Sequence, residues 1–246
     1  MMTISKAHFN LLILSNLLCW TVLLLLFLNS FSSVTVDELN VKRINVKNND
    51  GTTVIAISNK ERIANPVIDG VTYPVAGGRE FMSGMIFFNE EGDEIGGLIF
   101  NSGRLENGQK YGVGHLSFDR YKDNQVLAVT YNENKSGVTS GIKVIDRPGT
   151  GVFKQERDLA TEYFFDPNTS DERKQEIKKL RDELRANNGL GVERIFLGSN
   201  HEIPQLRLKD KNGTVRIKLY VDEQNLPKLE FYDENGNLQM AFPEKG

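Results

Sequence analysis

His115 and Asp119 stand four residues apart in GVGHLSFD, Gly112 to Asp119. Alternation in this run puts both side chains on one face of a strand. An imidazole and a carboxylate so placed are a start on a metal site or an acid–base pair, but two residues complete neither. His201 is the other histidine beyond the amino-terminal tail, and neither histidine stands beside a serine or cysteine in a nucleophile pattern such as G-x-S-x-G. Carboxylates crowd at Glu90, Glu91, Asp93 and Glu94. Glycoside hydrolysis needs two carboxyl groups about 5 to 9 Å apart in a cleft, one of them shielded from water. Carboxylates on a turn are solvated, so the sequence assigns no catalytic residue.

The same test removes the other familiar sites. Gly112-Val113-Gly114-His115 lacks phosphate-loop spacing and a following helix. Asn132-x-Asn134-x-Ser136-Gly137 comes nearest to a calcium loop, but its twelfth position is Lys143 where a glutamate is required. No metal and no cofactor is expected. The densest stretch is Gly77 to Arg104, where Gly96-Gly97 interrupts an apolar strand and so implies a bulge or the close approach of another backbone. Arg79, Glu80, Asp93 and Glu94 flank it. Together with Gly96, Gly97, His115 and Asp119 they form the candidate binding surface. Asp93, Glu94, His115 and Asp119 around one concavity would argue for a ligand or enzyme site. All four on a convex face would remove the enzyme.

The elements that position these residues begin with a membrane segment. Leu11 to Leu28 is 18 residues without a charge, about 27 Å as a helix, which approaches the hydrocarbon thickness of a bilayer. A cleaved signal peptide is the rival, with Ser30-Phe31-Ser32 as its small-x-small site, but the apolar run is longer than a signal core. The reading is an anchor spanning residues 1–33 with its tail, followed by a domain from 34 to 246. Lys6 before the segment is balanced by Asp37, Glu38, Lys42 and Arg43 after it, and the short amino-terminal tail places the bulk of the chain outside the cytoplasm. Asn16 and Thr21 within the span are candidates for helix pairing.

Beyond the anchor, net charge is −4 with no basic block, which argues against nucleic acid. The one cysteine, Cys19, lies in the apolar segment, so the domain holds no disulfide, thiolate metal site or cysteine nucleophile. Its apolar content is modest, which suits thin, half-solvated sheets. One unit recurs: INVKNNDGTTVIAI from Ile44, IFFNEEGDEIGGLIF from Ile86, LRLKDKNGTVRIKL from Leu206 and LEFYDENGNLQMAF from Leu229. Asn48, Asn89, Asp210 and Asp233 each stand three residues before a glycine. The Asn or Asp bonds forward to turn amides and the glycine takes a positive φ, so each unit is a β-hairpin. Further strands are expected at Gly112 to Phe118, Gln125 to Tyr131, Val138 to Ile145 and Val192 to Leu197. A helix runs from Thr169 to Gly189, opened by a Thr169-x-x-Glu172 capping box and striped by Ile177, Leu180 and Leu184. A shorter one precedes it over Phe153 to Phe165, with Leu159 and Phe164 inward.

GREF-x-x-GMIFFNEEGDEIGGLIF from Gly78, LSFDRYKDNQV from Leu116 and the tail from Leu206 to Leu238 resemble a group of uncharacterised bacterial membrane-anchored proteins with repeated β-hairpins. Phe231 to Gly236 also resembles one YD repeat of large bacterial shell-forming proteins, over that hairpin alone. The first resemblance implies a bacterial source and no activity. The expected architecture is mainly β, an antiparallel hairpin-repeat domain (roll, sandwich or solenoid) with a helical insertion at about 150–189. The expected function is non-enzymatic: a membrane-anchored interaction or scaffold protein, held in the lipid bilayer by residues 11–28 and associating with a protein partner or with itself. An extracytoplasmic ligand-binding or sensory domain and an envelope hydrolase are the alternatives.

Overall fold

The computed structural model describes residues 5–29, 36–75 and 77–243. The chain forms two units, Met1–Val41 and Lys42–Gly246. In the first, α1 (Lys6–Asn29) holds a 20-residue stretch, Lys6–Leu25, long and apolar enough to cross a membrane. Within it Asn16 donates to the Leu12 carbonyl at 2.9 Å and Thr21 to the Leu17 carbonyl, so both polar groups are satisfied by their own helix. The signal-peptide cleavage site and the boundary expected after residue 33 lie outside the described residues.

The second unit is mainly β. Strands β1 (Arg43–Lys47), β2 (Thr53–Ser58), a small hairpin of β3 (Val67–Ile68) and β4 (Val71–Thr72), then β5 (Ser83–Phe88), β6 (Glu94–Arg104), β7 (Lys110–Asp119), β8 (Gln125–Asn134) and β9 (Gly137–Asp146) precede two helices. These are α2 (Val152–Phe165) and α3 (Asp171–Arg185), after which come β10 (Val192–Asn200), β11 (Ile203–Lys209), β12 (Val215–Val221), β13 (Pro227–Tyr232) and β14 (Leu238–Phe242). All but β3 and β4 join one 12-stranded sheet whose order follows the chain, every neighbouring pair antiparallel.

Turn chemistry accounts for this order. Asn89 Oδ1 accepts from the Glu91 and Asp93 amides at 2.9 Å, and Gly92, at φ 85°, donates to the Asn89 carbonyl at 3.0 Å. Asp210 and Asp233 repeat the bonds with Asn212 and Thr214, and with Asn235 and Asn237. In the first hairpin Asp50 takes the role expected of Asn48, accepting from Thr52 at 2.9 Å. Two more turns use the same backbone with one signature residue replaced. Leu105 stands where Asn or Asp is usual, and Asn225, at φ 60°, stands where glycine is usual. The four turns with the full signature each add a bulge beside the loop, and register shifts there by one at Val46/Lys47, Phe87/Phe88, Leu208/Lys209 and Phe231/Tyr232, while the turns at Leu105 and Asn225 keep register.

One face of the sheet is covered. The segment between β2 and β5 folds over it, packing Ile63, Ala64 and Val67 against Ala56, Ile86 and Phe88. The helical insertion covers the middle strands, with Ile177 of α3 fully buried. The cap of α3 differs from expectation by one residue: Ser170 Oγ accepts from the Arg173 amide at 3.2 Å, while Thr169 Oγ1 donates to the Glu162 carbonyl at 3.1 Å. Phe164 is 65% exposed rather than inward, lying 5.5 Å from the Arg181 guanidinium. What ties α2 to α3 is ionic. Glu156, buried, accepts from Arg181 at 2.8 Å and Arg185 at 2.6 Å. Burial alone would raise its pKa, and the two guanidiniums more than offset this, holding the carboxyl below its usual range. Glu156→Gln leaves two guanidiniums facing an amide, so chemical denaturation should show a loss of about 2 to 3 kcal/mol at neutral pH. That loss should shrink as pH falls through the folded-state pKa of Glu156, where the parent loses the same charge.

Candidate functional sites: an apolar face and a polar cavity

Strand alternation and register together decide what each face presents. Starting at Ile44, directly paired residues run Ile57, Met85, Leu98, Leu116 and Val129, then Ile142, Leu197, Leu206, Leu219, Leu229 and Phe242. The adjacent row on the same face starts at Val46 and continues through Ile55, Phe87, Gly96, Phe118 and Leu127, then Val144, Ile195, Leu208, Ile217, Phe231 and Met240. Every strand of the sheet contributes one residue to each row, and apart from Gly96 all are apolar. None of these apolar side chains is buried, and Val129, Leu197 and Met240 are 45%, 53% and 53% exposed. The row behind them on the other face contains Ala56, Ile86, Ser117, Ala128 and Phe196, all buried. Further along the sheet that other face carries Arg207, Lys218 and Glu230.

The second site lies on the covered face, under α2. A cavity of about 190 Å³ is floored by Gly97 of β6 and by His115, Ser117 and Asp119, successive inward positions of β7. Ile68 and Arg79 from the covering segment and Phe153 and Arg157 from α2 close it. Arg79 grips Glu94 with two bonds, at 2.9 and 2.7 Å, both side chains largely buried. Asp119 has no such partner: its Oδ1 is buried without a hydrogen bond among the described residues. Desolvation, helped by the Glu94 charge, pushes its pKa up to about 7 despite Arg147 and Arg79 nearby. His115 Nε2 is likewise buried and unpaired, and burial, then the Lys143 charge, lowers its pKa so that the ring is held neutral.

The candidate surface read from the sequence is thus divided. Arg79, Glu94, Gly97, His115 and Asp119 are brought together around the cavity. Glu80 is exposed and accepts from the Gly78 amide at 3.1 Å, so it belongs to its own turn. Asp93 is 2% exposed but points elsewhere, accepting from the Gly70 amide at 2.7 Å and pinning the β3–β4 hairpin to the β5–β6 turn. Gly96 is on the apolar face, since adjacent strand residues point oppositely. Close approach of another backbone is explicit at both glycines of the pair: a Cβ on Gly96, at φ 134°, would lie 2.2 Å from the Ser117 carbonyl oxygen, and one on Gly97 would lie 2.7 Å from that of Met85. Gly96→Ala should therefore lower stability by about 2 to 3 kcal/mol, read from the urea midpoint, although the position faces out.

Sequence reasoning missed Ser117, Asp123, Phe153 and Arg157 of the cavity lining. Ser117 was within reach, because it shares a strand face with His115 and Asp119. Asp123 is buried and accepts from the Asn124 and Gly149 amides at 2.9 and 2.8 Å, a closure that depends on the chain returning after β9. Arg157 comes from the insertion and carries no signal of its own. Among the described residues, no group of three His, Cys, Asp or Glu side chains is placed to hold a metal ion. Among the described residues, the fold and the two sites define the class as a 12-stranded antiparallel meander with one apolar face open and the other carrying helices. No protein-family model matches the chain, and no curated protein matches it.

Proposed function

We propose that the chain is a single-pass, membrane-anchored interaction protein whose β domain lies outside the cytoplasm and associates with a second copy through its apolar face. The observation that carries this reading is the pair of apolar rows crossing all the strands. With strands about 4.8 Å apart and two residues of one face about 6.8 Å apart along a strand, the rows cover about 53 by 14 Å, or about 700 Å² per copy. Two copies would bury about 1,400 Å², within the range of stable, specific interfaces. Equal row spacing makes the surface complementary to itself under a two-fold axis. Sheets packed this way form a sandwich between chains, with helices and charged side chains turned to water on both outer faces.

Two further observations favour a second copy over other occupants. An anchor that confines copies to one membrane raises their effective concentration. The turns at one end of the strands carry Asp50, Glu90, Glu91, Asp233 and Glu234, which disfavour an anionic lipid surface. Sedimentation of the full-length protein in lipid nanodiscs and in detergent tests the proposal. A dimer is expected at micromolar concentration, and a monomer throughout the accessible range would overturn it.

A further inference from the structure

We propose that the cavity beneath α2 is a binding site for a small neutral polyol, of the size of a single sugar ring or less. This site is separate from the apolar face and does not depend on it. The cavity's volume of about 190 Å³ equals about six waters at roughly 30 Å³ each, which admits one small molecule and no polymer. Its polar groups ask for a ligand that both donates and accepts. Among the described residues, Asp119 Oδ1, a ring nitrogen of neutral His115 and Arg157 Nε are buried without hydrogen-bond partners, two groups able to accept and one that donates. The three residues that carry them line the same cavity. A hydroxyl group meets either need, and neighbouring hydroxyls on one carbon frame meet several at once. Leaving such buried groups unsatisfied is unfavourable, so a ligand that pairs them gains affinity from each bond.

Charge selects against ions. The cavity lining carries Glu94, Asp119 and Asp123 against Arg79 and Arg157, and the Arg147 charge acts on Asp119 and Asp123 from beside it. Glu94 is already held by Arg79, and Asp123 by two backbone amides. An ammonium or carboxylate ligand would add a further charge to this set, whose partly buried groups are costly to leave uncompensated. The remaining walls, Ile68, Ile86, Ile99 and Phe153, offer apolar contact to the C–H surface of a polyol.

The test is isothermal titration of the full-length protein in lipid nanodiscs with glycerol, D-xylose and myo-inositol, alongside ethanolamine and acetate as charged counterparts. At least one polyol should bind saturably, and Asp119→Ala should weaken that binding at least tenfold. Ser117→Leu, which fills the floor without altering charge, should abolish it. Circular dichroism of each variant confirms the fold, and if Ser117→Leu does not fold, Asp119→Ala alone carries the test. Failure of all three polyols to bind, equal binding to the folded variants, or preferred binding of ethanolamine or acetate would each overturn the proposal.

Discussion

Val129→Lys combined with Leu197→Lys should convert the protein from dimer to monomer. Both residues sit near the middle of the apolar rows, on β8 and β10, and are 45% and 53% exposed in the single chain. A lysine at either position therefore meets water in the monomer, and its cost there is limited to a few tenths of a kcal/mol of strand preference. In the dimer the same lysines must be desolvated against apolar neighbours. Removing a buried Val or Leu contact alone forfeits about 1.5 to 3 kcal/mol, and two-fold symmetry counts each substitution twice. The expected loss exceeds about 6 kcal/mol, which is more than 10⁴-fold in the dissociation constant. Glu202→Lys, at the turn between β10 and β11, alters charge by more than either substitution yet should leave the dimer intact. Sedimentation velocity on the three proteins reads the result. A double variant that still dimerises, with an unchanged circular dichroism spectrum, would show that this face is not the interface.

Asp119→Asn should stabilise the domain in alkaline solution and leave it unchanged in acid. Desolvation raises the folded-state pKa to about 7, against about 3.9 in an unfolded chain. Below pH 4 both states hold the proton and Asp119 contributes nothing to pH dependence. As pH rises from 4 towards 7 the unfolded chain releases its proton while the folded one retains it, so stability falls with rising pH. By about pH 8 the loss is nearly complete, about 4 kcal/mol for a shift of about three units at about 1.4 kcal/mol each. The asparagine variant escapes this loss, so its advantage should grow from near zero at about pH 4 to about 4 kcal/mol at about pH 8. Urea denaturation of both proteins at pH 4, 6 and 8 measures the difference. An advantage that is constant with pH would mean that Asp119 is not a desolvated acid. The comparison isolates Asp119 from Glu156, whose depressed pKa makes the opposite contribution, lost as pH falls.

The division between what is local and what is not runs through particular residues. Asn89, Asp210 and Asp233 disclose their hairpins because an Asn or Asp, two turn amides and a glycine all lie within five residues. The turns at Leu105 and Asn225 escaped notice because backbone geometry tolerates one changed residue when its other bonds are made. Alternation in each strand was equally plain, since a period of two needs no partner. The continuity of the apolar rows was not. It requires the register of every strand pair, and a one-residue slip at any pair would send the rest of a row to the other face. Only the assembled sheet, with a bulge beside some of its turns and none beside others, decides this.

The cavity divides in the same way. His115 and Asp119 were legible as partners on one face of β7, and the opposite directions of Gly96 and Gly97 follow from the same period. That Arg79 reaches Glu94, and that Arg157 arrives from the helical insertion to line the same cavity as Asp119, comes from folding two non-adjacent segments onto the sheet. The unusual acidity of Asp119 follows from that burial, because a carboxyl group in a solvated turn and one under a helix are identical until water is removed. By itself the sequence determined the anchor-length apolar segment, the hairpins and the helical insertion, all set by bonds and periodicities within a few residues. The tertiary structure decided which alternating residues join into one uncovered surface and which charges lose their water, because both depend on contacts between segments far apart in the chain.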